Sequence, residues 1–228
     1  RKDFTNDLIV TIDGLDAKDL DDAISLKIND NGNYLLSVHI ADVSHFVLPD
    51  SAIDREAKKR STSVYFADRV VPMLPNELCN GVCSLVPNED RLAFSVFMTF
   101  DKAGVMIKRS FAKSIIRSKA RFTYEQVMRV ISSGEKSKDK SVSIQARKTI
   151  LAVNKLASLL RAKRFAAGAL DIEIPEAEIV LDDNGEMTGI VTRPYDESHQ
   201  MIEECMVAAN EAVATELWTK GIKILARL

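Results

Sequence analysis

Five aspartates fall within ten residues of this 228-residue chain, in the run Thr11-Ile12-Asp13-Gly14-Leu15-Asp16-Ala17-Lys18-Asp19-Leu20-Asp21-Asp22-Ala23. Crowded carboxylates repel one another, and a pair ~4 Å apart costs about 4 kcal/mol at an effective dielectric of roughly 20. A fold keeps such a run together either by splaying it into water or by placing a cation among the oxygens. Carboxylate oxygens are the ligands that hard ions such as Mg²⁺ prefer. The spacing is not that of an EF-hand: counted from Asp13, the glycine position holds Lys18 and the closing glutamate position holds Ile24. Nor is it a phosphate-binding glycine loop, because the glycines and the Gly-Lys-Ser/Thr ending are missing. What remains is an all-carboxylate site whose only internal cation is Lys18. Such a site suits one or two Mg²⁺ ions, and a pair about 3.5–4 Å apart clamps both oxygens of an in-line phosphoryl displacement. The plainer alternative is an Asp-rich turn that caps its own backbone. Five carboxylates between two apolar runs weigh against it.

Those runs are the elements that position the loop. Leu8-Ile9-Val10 leads into Asp13, and Ala23-Ile24 restarts an apolar pattern after Asp22, so the loop is expected between two strands. Ala23–Asn29 and Asn33–Ile40 flank Asp30-Asn31-Gly32, a hairpin signal in which Asn-Gly suits a type I′ turn. A short helix is expected over Ile53–Arg60, capped by Asp50 or Ser51. Leu92–Phe100 and Val105–Ser118 form a second hairpin around Asp101-Lys102-Ala103-Gly104. Helices follow: one capped by Thr123 and running to about Ile131, one over Ile144–Phe165, and a long one over Ser198–Trp218. Polar Ser132–Ser141 reads as a mobile loop, and Ala177–Leu181 with Met187–Val191 as a third hairpin around Asp182-Asp183-Asn184-Gly185. With no repeat or linker, the expectation is one α+β domain, a mixed or antiparallel sheet with packed helices.

Composition narrows the class. At 46% hydrophobic the chain can build a real core. It has no apolar stretch of ~18 residues, so no membrane-spanning helix is expected. It begins at Arg1 without a leader and reads as an excised piece of a longer protein. Cys79, Cys83 and Cys205 are odd in number and lack Cys-x-x-Cys spacing, which suggests reduced thiols in the cytoplasm. Net charge is only −2, so gross electrostatics announces no nucleic acid. Locally, Arg109, Lys113, Arg117, Lys119 and Arg121 alternate with small or apolar residues such as Ser114, Ile116 and Ala120. On a strand this gives one basic face. It is either a wall that tracks phosphates or an ordinary solvated surface, and alone it favours the latter.

The acidic stretch from Val10 to Ala23 resembles the signature of the ribonuclease II/ribonuclease R (RNB) exoribonucleases. The likeness continues through Val38–Ser44, Arg60–Phe66, Pro72–Pro75, Leu78–Leu85, Asp90-Arg91-Leu92 and Ile202–Asn210, in family order over nearly the whole chain. It is closer to the bacterial ribonuclease R branch than to ribonuclease II. The resemblance implies a partial RNB catalytic domain over residues 1–228, cut on its C-terminal side, with the cold-shock and S1-type domains absent. It implies Mg²⁺-dependent, processive 3′→5′ hydrolysis of single-stranded RNA to 5′-nucleoside monophosphates, with Mn²⁺ as a substitute ion and no obligate protein partner. Asp13, Asp19 and Asp22 match the family's metal-binding carboxylates. Asp21 matches its catalytic aspartate, and Tyr65 matches a tyrosine that stacks on the terminal base. Asp16 fits the motif without a known role. In Gly168–Glu173, Ile172 stands where the better-known members place a phenylalanine that completes the clamp. The family's later Ser-Pro-Ile-Arg-Arg-Tyr motif does not occur in this sequence, so weak or absent activity is expected of the fragment alone.

On the long helix, His199, Glu203 and Asn210 share a narrow stripe beside an apolar one of Ile202, Cys205, Met206, Ala209, Val213 and Leu217. Glu203 is a candidate acceptor for a ribose 2′-OH, or else a polar rim residue. Glu204 points away from that stripe. His199 does not suit a Mg²⁺ site, which prefers oxygen. Two other functions stay open: an RNA-binding relative without catalysis, and a metal-stabilised structural domain.

Overall fold

A computed structural model describes residues 1–134, 141–170, 177–182, 184–192 and 194–225. Along the chain run β1 (Lys2–Asp13), β2 (Asp22–Ile28), β3 (Tyr34–Ala41), α1 (Val43–Phe46), α2 (Ala52–Arg60), β4 (Val64–Tyr65) and β5 (Val70–Val71). A π-helical turn at Glu77–Val82 precedes β6 (Asp90–Phe100) and β7 (Met106–Thr123). Then come α3 (Tyr124–Ser133), α4 (Ile144–Ala166), β8 (Ala177–Leu181), β9 (Met187–Thr192) and α5 (Glu197–Thr219). The expected α+β class holds.

Five strands close into a barrel in the order β1-β2-β3-β6-β7. Four of its contacts join antiparallel neighbours, and a parallel pairing of β1 with β7 shuts the ring. Closure leaves no strand edge to pair with another chain. Period-two alternation divides β1, β2, β3 and β6 between two cores, whereas β7 sends Phe122 to one and Ile116 to the other from a single face. One core, with Val10, Ile12, Ile24, Leu36, Val38, Met98 and Phe122, packs against α3, α4 and α5. The other gathers Ile9, Ala23, Ala41, Ala93 and Ile116 with Leu20, Cys83 and Leu85 from the connecting loops. Leu20 lies among the aspartates and is 2% exposed. Burying such a side chain is worth about 1.5–3 kcal/mol, so an apolar residue anchors the acidic loop.

The hairpins form where expected but not through the expected turn. A type I′ turn needs positive φ at Asn31 as well as at Gly32, and among the described residues the non-glycine positions with positive φ are Asp50, Ser61 and Asn88. The Gly32 N–H donates instead to the Asn29 carbonyl at 2.8 Å, and the Asn29 N–H donates to the Asn33 carbonyl at 3.0 Å. This is a type I turn followed by one left-handed glycine, the three-residue hairpin. Gly104 and Gly185, at φ +72 and +81, close the second and third hairpins in the same way. Asp183 lies outside the described residues.

Helix starts follow the sequence closely. Ser51 and Ser143 cap α2 and α4, and Thr123 with Gln126 forms a capping box on α3. Helix α3 extends to Ser133, and residues 135–140 of the expected loop lie outside the described residues. Strand β7 runs beyond its expected end at Ser118 to Thr123, because β1 pairs with it as far as Asp13↔Thr123. Its alternation is as expected: Ser114, Ile116, Ser118 and Phe122 are buried. The basic face is largely engaged within the molecule. Arg117 pairs with Asp90 at 2.7 Å, Lys113 sits 3.7 Å from Asp42, and Lys119 donates to the Thr5 carbonyl.

The buried arc of α5 differs from the expected one. It comprises Ser198, Met201, Ile202, Glu204, Cys205, Ala208, Ala209 and Ala212, while Met206, Val213 and Leu217 are only partly covered. Helix α5 packs on both α3 and α4 as well as on the sheet, which widens its buried face. Glu204 lies inside that face, at 2% exposure, because arginines from α4 meet it there.

Candidate functional site

Strand β1 ends on Asp13 and β2 begins on Asp22, so the barrel itself fixes both ends of the acidic loop. The first half is a turn closed by the Ala17 N–H to the Gly14 carbonyl at 3.2 Å. Arg121 reaches over from β7, and its Nη2 donates to the carbonyls of Gly14 and Leu15 at 2.7 Å each. The second half is held from the opposite side. The Ser84 hydroxyl donates to the Lys18 carbonyl at 2.7 Å and accepts from the Leu20 N–H at 3.0 Å. The Leu85 N–H donates to the Leu20 carbonyl at 2.8 Å, and the Ala41 N–H to the Asp21 carbonyl at 2.9 Å.

Four of the five carboxylates act on one another. Burial pushes Asp13 up to about 7, helped by Asp22, Asp19 and Asp21 and opposed by the Arg121 guanidinium. Burial, then Asp21, pushes Asp22 up to about 6. Asp21 is raised by burial and by Asp19. Asp16 stands exposed at the tip of the turn and is not among the charges acting on Asp13. Asp13 Oδ2 is buried and has no hydrogen-bond partner. A buried polar oxygen without a donor costs free energy, and a cation would relieve it. The donors are all oxygens, which suits a hard divalent ion. Among the described residues no group of three or more His, Cys, Asp or Glu side chains is arranged closely enough to hold an ion as it stands. The fit therefore rests on the bare Asp13 oxygen and on the chemistry of the donors.

Tyr65 belongs to the same site. Strand β4 carries it over the loop, where its hydroxyl donates to Asp19 Oδ2 at 3.1 Å. Burial and Asp19 raise its pKa. It remains 65% exposed, beside exposed Val64, Phe66, Val70 and Val71.

Glu203 lies in a different cluster. Arg164 Nη2 donates to it at 3.1 Å, and the Tyr195 hydroxyl also donates to it. Arg164 Nε donates to Glu204 at 3.2 Å, and Arg161 lies 3.8 Å from the same carboxylate. His199 pairs with Asp196 at 3.0 Å and stacks on Tyr124 at 3.9 Å between ring centres. The structure thus brings Asp13, Asp19, Asp21, Asp22 and Tyr65 together and does not bring Glu203 into contact with them. Ile172 lies outside the described residues. Sequence reasoning missed Arg121 and Ser84. Arg121 showed only as the last of the basic alternation, and Ser84 only as one residue of the Leu78–Leu85 motif.

The whole chain, residues 1–228, matches the family described as RNB domain. It is 46% identical to ribonuclease R of Thermotoga maritima over 229 aligned residues, which cover 100% of this chain and 32% of that protein. The chain therefore spans about a third of the length of such relatives. Two solved structures of Mycoplasma genitalium RNase R superpose on 97% of it. One, in complex with double-stranded RNA, gives a TM-score of 0.92 at 36% identity and is matched over 39% of its length. The other, in complex with ribose-methylated single-stranded RNA, gives 0.90 at 37% identity over 34% of its length.

Proposed function

The chain belongs to the RNB domain family, and from that premise we propose that the protein containing it is a 3′→5′ exoribonuclease of the ribonuclease R type. It hydrolyses single-stranded RNA processively and releases 5′-nucleoside monophosphates. The observation that carries the reading is the buried Asp13 oxygen, bonded to nothing, with Asp19, Asp21 and Asp22 around it. The relatives solved in complex with RNA, one single-stranded and one double-stranded, support RNA as the substrate class.

Asp13, Asp19 and Asp22 would hold Mg²⁺, with Mn²⁺ as a substitute. When bound there, the ion polarises the scissile phosphate and lowers the pKa of a water. Asp21 reaches solvent more than the other three although its carboxyl is partly desolvated, and it orients the attacking water and takes up its proton. Tyr65 offers an exposed ring to the terminal base, and such stacking is worth about 1–3 kcal/mol and is blind to sequence. Its hydroxyl bond to Asp19 fixes the ring relative to the reacting phosphate. Glu203, oriented by Arg164 and Tyr195, accepts a hydrogen bond from a ribose 2′-OH further along the strand. No helix among the described residues is long and apolar enough to cross a membrane. The unpaired Cys79, Cys83 and Cys205 suit a reducing compartment, and we place the protein in the cytoplasm.

The test uses the full-length protein, Mg²⁺ and a 3′-tailed single-stranded RNA. Stepwise release of 5′ monophosphates supports the reading, and its absence in the presence of Mg²⁺ or Mn²⁺ overturns it.

A further inference from the structure

The acidic loop is gripped on both sides by residues that are not carboxylates. Arg121 stands on β7 in register with Thr11 of the parallel neighbour β1. A single nitrogen of its guanidinium reaches two successive peptide carbonyls, those of Gly14 and Leu15. Its Nε is buried without a hydrogen-bond partner, so the side chain gives up one donor to hold this position. Ser84 performs the matching task on the other half. Its hydroxyl donates to Lys18 and accepts from Leu20, closing two backbone groups with one oxygen. The side chain of Leu20 is buried in the core beneath. One grip therefore adjoins Asp13, and the other adjoins Asp19 and Asp21. Peptide groups held in this way fix where each carboxylate starts from. A loop of like charges released from such grips would open into water, which is the response that Coulomb repulsion favours.

We infer that Arg121 and Ser84 are positioning residues for the divalent ion. They hold the peptide groups of Gly14, Leu15, Lys18 and Leu20 so that Asp13, Asp19, Asp21 and Asp22 remain close enough for one ion to draw them together. Arg121 adds a positive charge beside Asp13. This rests on the metal reading proposed above. Outer partners that orient metal ligands typically change affinity or activity about 10–100-fold when removed.

The experiment is Mg²⁺ and Mn²⁺ titration calorimetry on the full-length protein without RNA, followed by RNA turnover across Mg²⁺ concentrations. Arg121→Ala should weaken ion binding about 10–100-fold, and Ser84→Ala should weaken it in the same direction. Turnover of Arg121→Ala should recover at high Mg²⁺, with KM for RNA little changed. Arg117→Ala is the matched control, an arginine on the same strand that bonds Asp90 and not the loop, and it should bind ions as the unsubstituted protein does. Arg121→Lys keeps the charge on a side chain one bond shorter than the reach to Nη2 and should fall between the two; it also carries the test if Arg121→Ala fails to fold. Ion affinity unchanged in Arg121→Ala, equal loss in Arg117→Ala, or full affinity in Arg121→Lys would each overturn the clamp while leaving the metal reading intact. No ion binding by the unsubstituted protein would overturn both.

Discussion

The molecule crowds carboxylates in two places and treats them in opposite ways. At the α4–α5 contact, Glu204 is 2% exposed, yet Arg164 and Arg161 stand against it and Arg164 also takes Glu203. The charges there are balanced by the chain itself. At the β1–β2 loop, the Arg121 guanidinium stands beside Asp13 but gives its hydrogen bonds to backbone carbonyls. The result is a pair of aspartates held up to about 7 and about 6 and an oxygen with no donor. A cluster neutralised from within holds helices together. A cluster left short of positive charge favours a cation from outside, and that contrast is what the proposed metal site rests on.

The largest expected effect lies at the unbalanced cluster. Asp21→Asn should lower turnover about 10²–10⁴-fold, the range that a positioned acid–base group supplies, while RNA affinity in a filter-binding or anisotropy assay is preserved. Turnover within about tenfold of the unsubstituted protein would remove Asp21 from the catalytic role proposed for it.

Stability should respond in opposite directions at the two clusters. Glu204→Ala leaves Arg164 and Arg161 beside an empty buried position, and breaking a buried pair in this way costs about 3–5 kcal/mol. Asp13→Asn, in the absence of divalent ions, removes a charge that burial and three neighbours disfavour, and should raise the melting temperature by a few degrees. Destabilisation by both substitutions would erase the contrast drawn here.

The same contrast appears against pH. Asp13 and Asp22 hold protons in the folded state up to about 7 and about 6, whereas an unfolded aspartate loses its proton at about 3.9. Between these values the folded chain binds more protons than the unfolded one, so stability falls as pH rises. In chelator, thermal unfolding should therefore show a decline in melting temperature from about pH 4 to about pH 7. Saturating Mg²⁺ should flatten that decline, because the ion replaces the protons. Buried His39, whose pKa burial lowers to about 4, gives the opposite slope over part of this window, so Asp13 is tested by difference: a metal-free unsubstituted protein whose decline is no steeper than that of Asp13→Asn would contradict the environment assigned to Asp13.

How far the sequence anticipated all this depended on the range of the interaction. Strands flanking Asp13 and Asp22, the three hairpins and the capped helices were legible, because alternation, glycine and capping residues act over a few positions. The gathering of the carboxylates was legible too, since they lie within one loop. The grips on that loop were not. Arg121 and Ser84 lie 107 and 66 positions from the carbonyls they bind, Gly14 and Lys18, and no local pattern reports such a pairing. Glu204 went astray for the same reason. Helical periodicity shows a charge on a face, but not the arginine 40 positions earlier that makes its burial tolerable. The turn at Asn31-Gly32 was misread for a different cause: dipeptide preference gives the glycine, while strand register decides whether the loop has two residues or three.

The smallest effect separates the two things Tyr65 does. Its ring is exposed, as the proposed stacking requires, and its hydroxyl ties it to the unbalanced cluster through Asp19. Tyr65→Ala removes both, and should weaken the hold on the 3′-terminal nucleotides by about 1–3 kcal/mol, read as longer final products when RNA digestion is run to completion. Tyr65→Phe keeps the ring and loses only a half-exposed hydrogen bond, worth about 0.5–1.5 kcal/mol. Its final products should keep their length, with a modest fall in rate. Because the hydroxyl bonds a proposed ion ligand, that fall should deepen as Mg²⁺ is lowered. If Tyr65→Phe lengthens the final products as much as Tyr65→Ala does, the hydroxyl tether and not the ring face determines how the last nucleotides are held. The acidic cluster would then reach further along the RNA than its own carboxylates.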